Sequence, residues 1–91
     1  MADQQQRTQP KASVTLHVAL HADLRRFLPQ GVHGAFPVEL QPGAKVADLL
    51  EVLGIPDRET ITVGLNGELA TRETELHDAD EITMFSPMEG G

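Results

Sequence analysis

From residue 14 to residue 20 every second position is apolar: Val14, Leu16, Val18 and Leu20 alternate with Thr15, His17 and Ala19. A period of two predicts a strand with one buried and one solvated face. Ala22 to Leu28 then has room for a short helical turn, because Phe27 and Leu28 fall three and four positions after Leu24 and share its face. Pro29 ends that turn, and Gln30 to Gly34 reads as loop. Alternation resumes over Ala35 to Leu40, with Phe36, Val38 and Leu40 on one side; Pro37 has no ladder donor, which favours an edge position.

After the Pro42-Gly43 turn the period changes. Val46, Leu49, Leu50 and Leu53 form the stripe of an amphipathic helix, stopped by Gly54 and Pro56. Its N-cap is weak, since Ala44 or Lys45 stands where Ser, Thr or Asp would satisfy the free amides, although Asp48 favours the positive end. Thr60 to Leu65 returns to strand with Ile61, Val63 and Leu65 inward. Asn66-Gly67 signals a two-residue hairpin because both residues tolerate positive φ. Glu68 to Thr74 holds a short return strand and a turn. Leu76 is a core candidate, His77 to Asp80 is a polar turn, and Glu81 to Phe85 is the last strand, with Ile82 and Met84 facing one way and Thr83 and Phe85 the other.

Two strands, one helix and two or three further strands make an α+β roll of the β-grasp type, in which a single helix covers one face of a mixed sheet and leaves the other wet. A right-handed crossover through the helix is expected to set the following strand parallel to one of the first pair. The expected organisation is a disordered leader over 1–12, a domain over 13–86 and a flexible tail over 87–91.

Composition narrows what such a domain does. Ninety-one residues hold one small core, and with Phe27, Phe36 and Phe85 as the sole aromatics that core is mostly aliphatic. There is no cysteine, which excludes disulfides, thiolate metal sites and cysteine nucleophiles. No segment has the length and apolarity of a membrane span, and a soluble cytoplasmic protein is the default expectation. The net charge is -7, and its distribution is uneven: residues 35–91 set Lys45, Arg58 and Arg72 against twelve carboxylates, whereas Arg7, Lys11, Arg25 and Arg26 outnumber Asp3 and Asp23 before them. That field disfavours nucleic acid and anionic membrane as partners and suits a basic protein groove. Equally, it serves simply to keep a small domain soluble.

Few side chains suggest catalysis. His17, His21, His33 and His77 form no i,i+4 pair on the helix, and His77, beside Asp78 and Asp80, is the one with a cation-binding neighbourhood; adventitious surface histidines are the commoner explanation. Ser13 and Ser86 have no base at a fixed spacing. Arg25 and Arg26 suit an acidic patch on a partner or the chain's own carboxylates, with solvated surface the commoner case, and Asp48, Glu51 and Glu68 read as exposed acids. The chemistry is instead expected at Gly90-Gly91. Two residues without Cβ atoms enter a tunnel that bulkier residues would block, and an α-carboxylate is ionised at neutral pH and able to attack the α-phosphate of a nucleotide. Phe85, outward just before this segment, suits a docking hot spot as well as a core position created by twist. Met88 suits a shallow apolar pocket on a partner.

Leu53-Gly54-Ile55 closing the helix, Asn66-Gly67-Glu68 in the hairpin, Leu76 with Asp78 and Asp80-Glu81, and the exit Phe85-Ser86-Pro87-Met88-Glu89-Gly90-Gly91 resemble the MoaD/ThiS family of ubiquitin-like sulfur carriers over residues 13–91. The resemblance implies a ubiquitin-like β-grasp fold with a mixed sheet of four to five strands and one main helix. It also implies a non-catalytic carrier with no bound cofactor, whose Gly91 carboxylate is adenylated by an E1-like enzyme using ATP and magnesium and then converted to a thiocarboxylate. Gly90 would line the approach, and Phe85, Pro87, Met88 and Glu89 would contact the partner. The exit looks closest to the small subunit of molybdopterin synthase, whose large catalytic subunit would be a second partner. Other readings are a sulfur carrier for thiamine, cysteine or another metabolite, a ubiquitin-like protein modifier, and a non-covalent β-grasp binding module. Two positions depart from the family pattern. Ser86 replaces the first proline of a double-proline exit, and Ala79 stands where glycine is usual, so the turn there is expected to avoid positive φ.

Overall fold

The computed structural model describes residues 13–86. The leader expected over 1–12 and the tail expected over 87–91 lie outside the described residues. Strand β1 (Val14–His21) leads into a 3-10 helix (Ala22–Phe27); β2 (Phe36–Leu40), helix α1 (Val46–Leu53), β3 (Thr62–Leu65), β4 (Glu68–Ala70) and β5 (Glu81–Phe85) follow. Five strands form one sheet in the order β2-β1-β5-β3-β4. The β1–β5 pairing is parallel and the others antiparallel. This is a ubiquitin-like β-grasp fold with a mixed sheet and one main helix, as the element order leads one to expect.

The alternation of β1 translates directly into burial. Val14, Leu16, Val18 and Leu20 are buried, whereas His17 and His21 are exposed. Ile82 and Met84 of β5 continue the same face, and Val46, Leu49 and Leu50 of α1 close over it. Leu24, Ile55 and Leu76 seal the margins from irregular segments. Among the described residues, no polar or charged side chain is buried, so the core requires no internal hydrogen-bonding partners. Pro37 lies in β2, an edge strand, which explains how a residue without an N–H is accommodated.

Three local expectations are refined or overturned. The strand after the helix runs parallel to one of the first pair, β2, as expected, but not beside it: the parallel neighbour in the sheet is β5, next to β1. Strand β3 lies beyond β5 and runs antiparallel to it, so it shares the direction of β2 without touching it. The central slot goes to the strand whose two inward residues, Ile82 and Met84, are almost completely buried.

The weak N-cap of α1 is compensated from elsewhere in the chain. Asp48 Oδ2 accepts the Lys45 N–H at 2.8 Å, while the orphan amides of Val46 and Ala47 donate to the Thr74 and Arg72 carbonyls at 3.0 and 2.9 Å. At the other end Gly54 takes the left-handed conformation (φ 77) and donates to Glu51 O.

The turn at 77–80 does require positive φ, contrary to expectation: Ala79 has φ 71. Tertiary bonds impose this. The Ala79 N–H donates to Thr15 O at 2.8 Å, the Thr15 N–H donates to Asp78 Oδ1 at 2.7 Å, and the His77 N–H donates to Asp80 Oδ2 at 2.7 Å. An L-residue held there costs about 1–2 kcal/mol. Ala79→Gly is therefore expected to stabilise the domain by ~1 kcal/mol, after allowance for the greater freedom of glycine in the unfolded chain. Urea unfolding followed by circular dichroism checks this, and an unchanged or lower midpoint would mean that the turn stores no such strain.

Candidate functional site

The sheet face opposite α1 is assembled by strand register. One row across it reads Thr62, Phe85, His21 and the next reads Leu69, Gly64, Thr83, Ala19. Two apolar side chains stand out on it: Phe85 is 39 % exposed and Leu69 81 %. Between them Gly64 contributes no side chain. A Cβ there would meet its nearest atoms, Thr83 O and Glu68 O, at 3.8 and 4.0 Å, so the backbone has room for a larger residue and glycine leaves the surface low. The result is a shallow open patch with Phe85 and Leu69 as its projecting members.

The structure thus places Phe85 on the outward face, as its alternation with Ile82 and Met84 suggests. Leu69 is the residue that sequence reasoning missed. The signal was present in the two-residue Asn66-Gly67 turn (φ 52 and 89), which fixes Leu65 opposite Glu68 and Gly64 opposite Leu69. Period two then sends Leu69 to the face opposite Val63.

Phe85 also marks the end of β5. Because β5 is parallel to β1, it ends beside His21, where the 3-10 helix with Arg25 and Arg26 begins. The chain accordingly leaves the sheet next to its basic segment. Arg26 is more than solvated surface: its guanidinium pairs with Glu59, donates to Asp23 O at 2.8 Å and lies 4.6 Å from the Phe27 ring centroid. With the Arg26 side chain half exposed, this cluster contributes within the 0.2–1 kcal/mol range typical of surface pairs. Pro87, Met88, Glu89, Gly90 and Gly91, the other expected site residues, lie outside the described residues.

His77 has Glu75 and Asp80 oxygens at 3.7 and 4.0 Å, and among the described residues no group of three or more His, Asp or Glu side chains is arranged to hold a metal ion. The acids Asp48 and Glu51 border two open clefts beside α1, of about 490 and 430 Å³, on the far side of the molecule from the patch. Among the described residues no helix is long and apolar enough to cross a membrane.

Comparison with known proteins places these features. The ThiS family model matches residues 18–91. No curated protein sequence matches the chain. Among solved structures, a Haloferax volcanii protein is similar in fold, with 23 % identity and a TM-score of 0.72 over 91 % of this chain and 92 % of that one. A Pyrococcus furiosus protein assigned as molybdopterin converting factor, subunit 1, is 27 % identical with a TM-score of 0.67, over 84 % of this chain and 100 % of its own. The small archaeal modifier protein 1 of Methanosarcina acetivorans is 26 % identical with a TM-score of 0.64, over 87 % of this chain and 98 % of its own.

Proposed function

The chain belongs to the ThiS family of ThiS/MoaD-like sulfur carriers, small non-catalytic domains, and on that premise we propose that Gly91 is the residue through which it works. The observation that carries the proposal is the reach of the family match, which runs to residue 91 and so includes Gly90-Gly91. The family implies an E1-like adenylating partner. In that partner the Gly91 carboxylate attacks the α-phosphorus of ATP, magnesium and basic groups of the enzyme stabilise the departing pyrophosphate, and the carboxylate becomes a mixed anhydride open to a nucleophile.

Two readings share this activation and separate at the nucleophile. In the first, a lysine amine captures the acyl group and the chain becomes a protein modifier; the likeness to small archaeal modifier protein 1 supports it. In the second, a sulfur donor captures it and the resulting thiocarboxylate supplies sulfur for molybdopterin through a large catalytic subunit. The likeness to the P. furiosus protein favours this reading. Incubation with ATP, magnesium, the cognate activating enzyme, a sulfur donor and cell protein, followed by mass analysis of the C-terminus, separates them. A branched Gly91-lysine peptide supports the first, and exchange of one carboxylate oxygen for sulfur supports the second. Neither product, from an enzyme shown to be active, would remove both.

The exposed patch gives the activating enzyme a surface to hold. Phe85 is the last strand residue before Gly90-Gly91 in sequence, and with Leu69 it offers exposed apolar area of the kind that marks protein–protein contact. Phe85→Asp and Leu69→Asp are each expected to lower kcat/KM for adenylation about tenfold or more. Leu69→Asp should leave the unfolding midpoint nearly unchanged, whereas Phe85→Asp should lower it modestly because much of the ring is covered, so both are assayed well below their midpoints. Equal activity in both variants would show that the partner docks elsewhere.

A further inference from the structure

Asn66 is exposed, yet both ends of its side-chain amide are hydrogen-bonded. Its Nδ2 amide donates to Asp80 Oδ1 at 2.9 Å, its Oδ1 accepts the Glu81 N–H at 2.9 Å, and its own N–H donates to Glu81 O at 2.8 Å. The other oxygen of Asp80 accepts the His77 N–H at 2.7 Å. Three bonds thus tie the β3–β4 turn to the start of β5 and the turn before it, and the fourth fixes Asp80 within that turn. Asn66 is followed by Gly67, and the position a Cβ would take on that glycine has no atom within 4 Å.

We propose that Asn66-Gly67 is a deamidation site that the fold holds shut, and that its product breaks the clamp that protects it. In the reaction, the Gly67 nitrogen loses its proton to base and attacks Asn66 Cγ. The N–Cγ bond forms, the Cγ–Nδ2 bond breaks, and ammonia leaves carrying a proton from water. Water then opens the cyclic imide at either carbonyl, giving aspartate or isoaspartate. Glycine is the residue that least obstructs this attack, since it has no side chain. In the folded domain both ends of the Asn66 amide are held, by Asp80 and by the Glu81 N–H, and the attack turns planar Cγ tetrahedral and expels the Nδ2 that Asp80 holds. The modification is therefore paced by local opening of this turn.

The product reverses the electrostatics. Where an amide donor faced Asp80 at 2.9 Å, a second carboxylate now faces it, and two adjacent carboxylates resist joint ionisation. Isoaspartate also lengthens a turn whose two residues set the Leu65–Glu68 register. Once modified, the β3–β4 turn is expected to separate from the turn before β5.

Incubation at mildly alkaline pH with peptide mapping of residue 66 tests the proposal. The native wild-type chain is expected to deamidate at least about tenfold more slowly than the urea-unfolded chain, and Asp80→Ala, which removes the acceptor of the Asn66 amide, to be about tenfold faster than wild type. Val18→Ala serves as the control that destabilises the core without touching the clamp, and it should stay well below Asp80→Ala. A native rate equal to the unfolded rate, or Val18→Ala matching Asp80→Ala, would overturn local protection. Asn66→Asp, standing for the product, is expected to lower the folded-to-unfolded ratio about tenfold; an unchanged ratio would overturn the claim that the product breaks the clamp.

Discussion

A chain lacking Gly91 is expected to be inert towards its activating enzyme, with adenylation reduced by at least about a thousandfold and the fold unchanged. The argument is geometric. Adenylation needs the carboxylate oxygen within attacking distance of the α-phosphorus, and a misplacement of about 1 Å already costs on the order of a hundredfold. Removing one residue withdraws the carboxylate by about 3.3 to 3.6 Å of extended chain. Gly90→Val tests the same path differently, because it keeps the length and adds bulk to a residue that must pass beside the enzyme. Its loss of rate is expected to exceed any change in binding of the folded domain. Full activity in the shortened chain, measured by AMP formation, would show that Gly91 is not the reacting residue.

The largest expected effect on stability lies in the core beneath α1. Leu16 is fully buried in β1, opposite Val38 of β2 and just before the stretch of β1 that pairs with β5, and Leu16→Ala is expected to cost about 2–5 kcal/mol. A domain of this size has a total stability near the lower end of 5–15 kcal/mol, so the variant should lose a third or more of it. The chain has no Trp or Tyr, which makes urea unfolding followed by circular dichroism the suitable readout. A cost below about 1 kcal/mol would mean that the core closes around the missing side chain far better than a close-packed interior allows.

Much of this architecture was legible in the chain because each element has one wet side. Alternation over Val14 to Leu20 and Glu81 to Phe85, and the stripe from Val46 to Leu53, each identify an inward face without knowledge of neighbours. Asn66-Gly67 even carries the hairpin register. What was not legible depends on residues distant in sequence. The insertion of β5 between β1 and β3 pairs positions more than sixty residues apart in one case, such as Val18 with Ile82, and no local pattern encodes that adjacency. The amides at the start of α1 are satisfied by carbonyls of Arg72 and Thr74, well beyond any capping motif. Ala79 adopts positive φ because Thr15 and Asp78 draw the turn against β1, a tertiary demand that outweighs the preference of alanine. Leu69 gains its place on the exposed face from the register that sets it opposite Gly64, in a strand too short to show alternation by itself. Gly90 and Gly91 are the opposite case: their proposed role was read entirely from the sequence.

That role has one direct test. ATP–pyrophosphate exchange catalysed by the E1-like enzyme requires a carboxylate that forms an acyl-adenylate reversibly, and it is independent of whether lysine or sulfur receives the acyl group afterwards. With the intact chain, exchange is expected to saturate with increasing concentration of the protein, to be abolished by removal of Gly91 and to be weakened by Phe85→Asp. Exchange that persists undiminished without Gly91, or that never depends on this chain in the presence of its active cognate enzyme, would contradict the account.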